Sequence, residues 1–319
     1  MSFISPRVLS RLGVLGLNGR NRNYVARYNP RRAFPLVDNK LETKRILEAA
    51  GLATPALLFV VRHQFEVRDI GARLEGHASF CIKPAKGSGG KGIMVIERRS
   101  GDRFVKASGA ELGIEQIKRH VSNALAGLYS LGGQPDAVIV EELIEFDPSF
   151  SGLSHEGVPD IRIVVFQGYP VMAMLRLATH ASDGKANLHQ GAVGVGLDLA
   201  TGRAIRAVQY TRPIREHPDT GRSLDAISID DWRNMLLLAS RCYEPTGLGY
   251  LGADLVLDRS KGAQLLELNA RPGLAIQVAS GCGLLPRLRA IEARVAEHRE
   301  SAEERVAFAV EAFAAQPHA

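Results

Sequence analysis

Along the chain, short apolar runs bounded by Gly, Pro and Asp alternate with amphipathic stretches. The clearest pair, Leu251–Leu257 and Gln264–Leu268, flanks the polar turn Asp258-Arg259-Ser260-Lys261-Gly262 and predicts two adjacent antiparallel strands. Similar runs predict strands over 56–61, 78–83, 93–96, 137–140, 160–165 and 170–177. Helical spacing of apolar residues predicts helices over 38–50, 65–74, 113–128 and 229–243, the last with Trp232, Leu236, Ala239 and Tyr243 inward. Two more follow Pro286, and the final one, 304–315, either docks or frays. Residues 147–159 read as a substrate loop or lid, and 197–229 as a strand-and-loop insertion. Residues 1–38 have little sustained period and several breakers (Asn-Gly, Asn-Pro, Phe-Pro), so a short helix over Pro6–Leu15 and then an extended arm is expected. The class is α+β.

Composition narrows this picture. With 45% hydrophobic content over 319 residues, the chain can build two lobes with a real core. No run approaches the roughly 18 apolar residues of a membrane span, and a cytoplasmic location is the expectation. Cys81, Cys242 and Cys282 are widely separated and form no C-x-x-C pair, which argues against a disulfide framework or a zinc knuckle. The net charge of +6 is concentrated in residues 1–50, where ten basic side chains face three acids. Such a leader can attract nucleic acid, an anionic membrane or an acidic substrate. The favoured reading is a solvated arm packing on the body or on a second subunit, and no DNA is expected.

Candidate chemistry sits on the predicted hairpin. Asp254 lies in its first strand, and Glu267 and Asn269 at the end of its second. A buried carboxylate costs several kcal/mol unless it is paired or cation-bound. Acids facing each other across a hairpin therefore point to a hard-metal site, and two carboxylates with an amide oxygen suit Mg²⁺. A hairpin with solvent-facing acids fits the same residues. Arg271 completes E-x-N-x-R, and an arginine beside a metal-bound phosphate stabilises charge that develops in phosphoryl transfer.

Upstream, Lys83 ends an apolar strand, and Gly87-Ser88-Gly89-Gly90-Lys91-Gly92 offers backbone N–H groups that can wrap an anion. The loop runs from strand to strand, so it is a flap rather than a P-loop, or else an ordinary long turn. Glu141-Glu142-Leu143-Ile144 is an acid pair entering a linker whose backbone can read an adenine edge; alone, such a pair is merely a strand end. Arg162 and Arg176 are embedded in apolar strands and need anionic partners. One of them as a structural ion pair is more economical than both. His189 reads as a structural histidine.

Taken in order, strand lysine, glycine flap, acidic hinge, paired arginines, Asn187, Asp254 and E-x-N-x-R resemble the ATP-grasp carboxylate-amine ligases. The nearest likeness is to their alpha-L-glutamate ligase-like branch, related to enzymes that add glutamate to a ribosomal protein. The resemblance covers roughly residues 38–290 and implies two lobes with antiparallel sheets sandwiching ATP. It implies a basic arm over 1–37, an ATP-grasp domain over 38–295 with lobes meeting near 136 and 137, and a helical tail over 296–319. By resemblance Lys40, Lys83, Ser88, Gly89, Gly90 and Asn187 reach the phosphates, Glu142, Leu143 and Ile144 the adenine, and Asp160 the ribose. Asp254, Glu267 and Asn269 match positions that carry two Mg²⁺ ions, or Mn²⁺ in their place. Arg271 is the implied charge stabiliser, with Arg162 and Arg176 as candidates to grip the carboxylate substrate.

The implied reaction activates a carboxylate, glutamate being one candidate, as an acyl-phosphate and joins it to the amine of a peptide or small molecule. Two departures stand out. Many members carry an α/β domain before these lobes where about 38 residues stand here, and one expectation is that a partner subunit, as in a homo-oligomer, completes the pocket. Gly252 occupies a place where some relatives carry an arginine, two residues before the metal-binding aspartate. Two other readings remain open: a ligase acting on a sugar-derived or other non-amino-acid carboxylate, and a non-catalytic basic nucleotide-binding protein that associates with nucleic acid or membrane.

Overall fold

The computed structural model describes residues 5–87, 89–154 and 157–315. They form two compact units, one from the described residues of Asp38–Lys44 and Thr54–Glu145, the other from those of Met1–Val37, Arg45–Ala53 and Phe146–Ala319.

The smaller unit is a six-stranded antiparallel sheet made of β1 (Leu57–Val61), β2 (Phe80–Pro84), β3 (Met94–Ser100), β4 (Arg103–Lys106), β5 (Glu111–Leu112) and β6 (Val138–Glu141), in the order β1-β6-β2-β3-β4-β5. The helix Ile114–Leu125 buries Ile117, Val121, Ala124 and Leu125 in one cluster with Phe80, Ile82, Ile96, Val138 and Val140. Because side chains alternate along a strand, this leaves Lys83 and Glu141 on the opposite face. The strands β4 and β5 were not anticipated. The segment 65–74 is a 3₁₀ turn, Gln64–Asp69, running into a short α-helix, Ile70–Arg73.

The larger unit is a seven-stranded antiparallel sheet. Its strands are β7 (Asp160–Phe166), β8 (Tyr169–Leu177), β9 (Val193–Leu197), β10 (Ala204–Gln209), β11 (Arg212–Ile214), β12 (Tyr250–Asp258) and β13 (Gly262–Asn269), in the order β11-β10-β9-β8-β7-β12-β13. A tight turn closes β7–β8, with Gln167 and Gly168 at φ 51° and 82°, the left-handed pair that matches strand twist in two-residue hairpins. Strands β8 and β12 are buried along their whole length. The helix Trp232–Arg241 buries Trp232, Met235, Leu236 and Ala239. The last helix, Ala302–Ala312, docks: Val306 and Ala309 are buried, and Arg305 reaches Glu244 at 2.6 Å.

The extended arm expected after residue 15 is helical instead. It consists of Leu17–Gly19, a π-helical stretch Arg20–Val25, and Ala26–Tyr28, followed by the turn Arg31–Ala33 and the helix Pro35–Asp38. It buries Leu15, Tyr24, Val25, Ala33 and Val37 in the core of the larger unit. These anchors come one or two per short piece, too sparse to produce a helical period.

Candidate active site

In the smaller unit the strand lysine has a fixed partner. Lys83 is ion-paired with Glu141, which is buried and also holds Lys44 at 3.1 Å. Lys44 further donates to Thr54 Oγ1 at 3.3 Å and to the Pro55 carbonyl. Burial works to raise the Glu141 carboxyl, but the charges of Lys83 and then Lys44 prevail and hold it below the usual carboxylate range. Neither Glu141 nor Lys44 was singled out from the sequence. The signal was strand parity: Glu141, two residues from Ile139, shares the Lys83 face. Glu142, Leu143 and Ile144 leave the strand half-buried, with the Glu142 N–H bonded to the Ala56 carbonyl at 3.0 Å.

Lys40 donates from Nζ to the Gly87 carbonyl at 2.7 Å and so sits at the base of the glycine loop. At the far end, a Cβ on Gly92 would lie 2.5 Å from the Tyr129 ring, and His120 Nε2 contacts the Gly92 carbonyl at 2.9 Å. Gly89 and Gly90, at φ 63° and 76°, have open space where a Cβ would be. Both ends of the loop are thus packed while Gly89 and Gly90 between them present bare backbone, as an anion cradle requires. Ser88 lies outside the described residues.

In the larger unit one face of the sheet carries a charged cluster. Asp254 pairs in register with Arg162 on β7 and with Glu267 on β13, and Asp160 pairs with Arg176 across β7–β8. Arg162 grips Asp254 in a fork, Nε to Oδ1 at 2.7 Å and Nη2 to Oδ2 at 2.6 Å. Arg176 forks onto Asp160 at 2.5 and 2.7 Å and also reaches Asp254 at 2.8 Å. Both arginines are therefore held in ion pairs, which corrects the expectation of a single one: each buried guanidinium meets a carboxylate from the neighbouring strand, Asp254 of β12 for Arg162 and Asp160 of β7 for Arg176.

Burial opposes ionisation of Asp254, yet Arg162 and Arg176 hold its carboxyl well below the ordinary range. Asp160 is pushed up to about 6, by burial first and by the charge of Asp254, against the pull of Arg176. Burial lowers Arg176, but Asp160 and Asp254 outweigh it and raise the guanidinium.

Asn269 Nδ2 lies 3.2 Å from Asp254 Oδ2 and 3.5 Å from Glu267 Oε1. One amide touches both carboxylates, so the three side chains converge. In this arrangement the amide donates to both carboxylates; with a cation bound, its Oδ1 would turn inward and give the all-oxygen donor set that Mg²⁺ takes. Asp160, Asp254, Arg162 and Arg176 thus form one ion-paired group, with Glu267 joined to it through Asn269. Among the described residues no three His, Cys, Asp or Glu side chains gather into a metal site.

Arg271 is exposed, with its guanidinium carbon 4.7 Å from the centre of the Phe34 ring. Gly252, where some relatives carry an arginine, has no room for a side chain: a Cβ there would lie 2.7 Å from Pro272 Cβ. Asn187 caps the turn Leu188–Gln190, its Oδ1 accepting from the His189 N–H at 3.0 Å.

No curated protein sequence matches the chain. Among solved structures it is similar to a D-cycloserine synthetase, DcsG (18% identity, 84% of this chain and 73% of that one, TM-score 0.48). It is also similar to D-alanyl-alanine synthetase A of Vibrio cholerae O1 biovar eltor str. N16961 (12%, 88% and 66%, 0.47). A third is the ATP-grasp ligase PsnB with its minimal precursor (17% identity, 84% of this chain, TM-score 0.45), of which the chain spans 63% of the length. Residues 19–293 match the family described as sugar-transfer associated ATP-grasp. That span takes in both sheets, the Lys83–Glu141 pair, the Asp254 cluster and most of the N-terminal arm, and the chain belongs to the sugar-transfer associated ATP-grasp family.

Proposed function

We propose that the protein is an ATP-dependent carboxylate-amine ligase. The observation that carries this reading is the convergence of Asp254, Glu267 and Asn269 on one another, with the exposed Arg271 two residues further along the chain. In the proposed reaction a substrate carboxylate oxygen attacks the γ-phosphorus of ATP, the bond to the β–γ bridging oxygen breaks, and ADP leaves. An amine then adds to the acyl carbon, phosphate departs with the carbon–phosphate oxygen bond, and the amine loses a proton to give an amide.

Asp254, Glu267 and Asn269 would hold divalent cations, which when bound neutralise phosphate charge. Arg162 and Arg176 keep Asp254 ionised and aimed. Lys83 and Lys40, with the bare backbone at Gly89 and Gly90, would bind phosphate oxygens, and Glu142–Ile144 the adenine. Asp160 would lie by the ribose and Asn187 on the phosphate side. Arg271 stabilises negative charge on the transferred phosphoryl group. No nucleophilic side chain is needed, because positioning and charge neutralisation supply the catalysis.

Glutamate remains one candidate acid. The description of the family weighs toward the other reading, in which the carboxylate or the amine belongs to a sugar-derived molecule. The test is a screen for ADP release over pairs of amino acids, peptides, sugar acids and amino sugars, with mass spectrometry on any pair that turns over. A pair that releases ADP and yields an amide with wild type, but not with Glu267→Gln, supports the reading. ADP release from no pair above that control contradicts it.

A further inference from the structure

The N-terminal arm converges on the stretch that carries Arg271. Arg20 is only 7% exposed. It donates from Nη1 to the carbonyls of Arg271 at 3.3 Å and Pro272 at 2.8 Å, and its other contacts are with the Asn21 side-chain oxygen at 2.7 and 3.0 Å. All of these acceptors are neutral. Asn29, 2% exposed, bonds the Tyr250 N–H at 2.8 Å, the Tyr250 carbonyl at 2.6 Å and the Ala270 carbonyl at 3.0 Å. It thereby ties the start of β12 to the end of β13. The ring of Phe34 then lies against the Arg271 guanidinium.

Two features separate this arrangement from ordinary packing. Arg20 is bonded to the backbone of a second arginine, Arg271, and burial first, with the Arg271 charge adding to it against an opposing contribution from Tyr250, lowers the Arg20 guanidinium. Among the described residues neither forms an ion pair with a carboxylate, whereas Arg162 and Arg176 are both saturated by acids. A surface arginine steered by an aromatic ring, over a buried cation with only neutral partners, is a positive site left open for an anion.

We propose that the arm is a working part of the phosphoryl site, in which Arg20 fixes the backbone of Arg271 and Phe34 sets the direction of its guanidinium. Both are positioning residues, and the anion they present Arg271 to is the terminal phosphate of the nucleotide. This rests on the reading of Arg271 given above.

The test compares the Mg²⁺ complexes of ADP and of the non-hydrolysable ATP analogue adenylyl imidodiphosphate by calorimetric titration, in wild type, Phe34→Leu, Phe34→Trp and Arg271→Ala. Losing the ring should weaken the analogue about two- to fivefold and leave ADP unchanged. Phe34→Trp should restore the affinity, and Arg271→Ala should abolish the preference for the analogue over ADP. If Arg271→Ala removes that preference and Phe34→Leu does not reduce it, the positioning role is overturned while Arg271 keeps its place. If Arg271→Ala leaves the preference intact, the assignment of Arg271 itself falls. Equal weakening of both nucleotides in Phe34→Leu, together with a lowered melting temperature, would make Phe34 a packing residue and overturn the proposal.

Discussion

Arg162 and Asp254 face each other in register across β7 and β12 and are joined by two parallel hydrogen bonds of 2.7 and 2.6 Å. Asp254 is 1% exposed, so this is a buried fork whose two charges depend on each other. Removing Arg162 leaves Asp254 with Arg176 as its remaining guanidinium, at 2.8 Å. Arg162→Met should therefore cost about 1.5–3 kcal/mol of stability, the range for hydrogen bonds to a charged group, measured by chemical denaturation. Arg162→Met combined with Asp254→Leu should cost less than Arg162→Met alone. A double variant as unstable as the sum of its parts would show that the two side chains are not coupled.

Gly252 explains why the guanidinium beside Asp254 comes from neighbouring strands. With Pro272 where a Cβ would sit, Gly252→Ala should destabilise by about 1–3 kcal/mol through overpacking. Pro272→Ala in the same chain should recover part of that loss. Gly252→Ala with unchanged thermal stability would mean that the Pro272 turn moves freely.

Stability of the smaller unit should fall in acid. Glu141 has a depressed folded-state pKa, so its contribution is present above the unfolded carboxylate value, about 4.3, and is lost as pH drops through the folded value. Glu141→Gln should be less stable than wild type at pH 7, because Lys83 and Lys44 both lose the charge of Glu141, and its stability should change less below about pH 4.3. An acid-denaturation curve with the same slope in both proteins would remove Glu141 from this role.

Asn29 makes the arm part of the body. Asn29→Ala leaves the buried Tyr250 N–H without its partner, and a loss of roughly 2–4 kcal/mol follows from unsatisfied buried groups. Asn29→Asp should not rescue it, since an acid cannot donate to the two carbonyls. Hydrogen exchange at Tyr250 reports this directly: protection should drop in Asn29→Ala, and unchanged protection would contradict the clamp.

How much of this was legible in the sequence depends on how local the signal is. The β12–β13 hairpin was readable because two apolar runs flank the polar turn Asp258–Gly262, and the acids they carry, Asp254 and Glu267, do pair in register. The arm was not, because its helical pieces bury only one or two apolar residues each, such as Tyr24 and Val25, in a core built from distant strands. The pairing of Arg162 and Arg176 with Asp254 and Asp160 was hidden by registry: which acid meets which arginine depends on strand offset, and apolar runs do not state it. Glu141 was overlooked in favour of Glu142 because the end of a strand reads the same from either residue until the buried face is known.

The central claim is that Asp254, Glu267 and Asn269 together bind the divalent cations that accompany ATP. Calorimetric titration of ATP with excess Mg²⁺ into wild type and Glu267→Gln tests it most directly. Wild type should bind, with affinity reduced at least about tenfold, or about 1.4 kcal/mol, in the variant, and that difference should vanish when Mg²⁺ is replaced by chelator. Equal Mg²⁺-dependent affinity in the two proteins would contradict the claim.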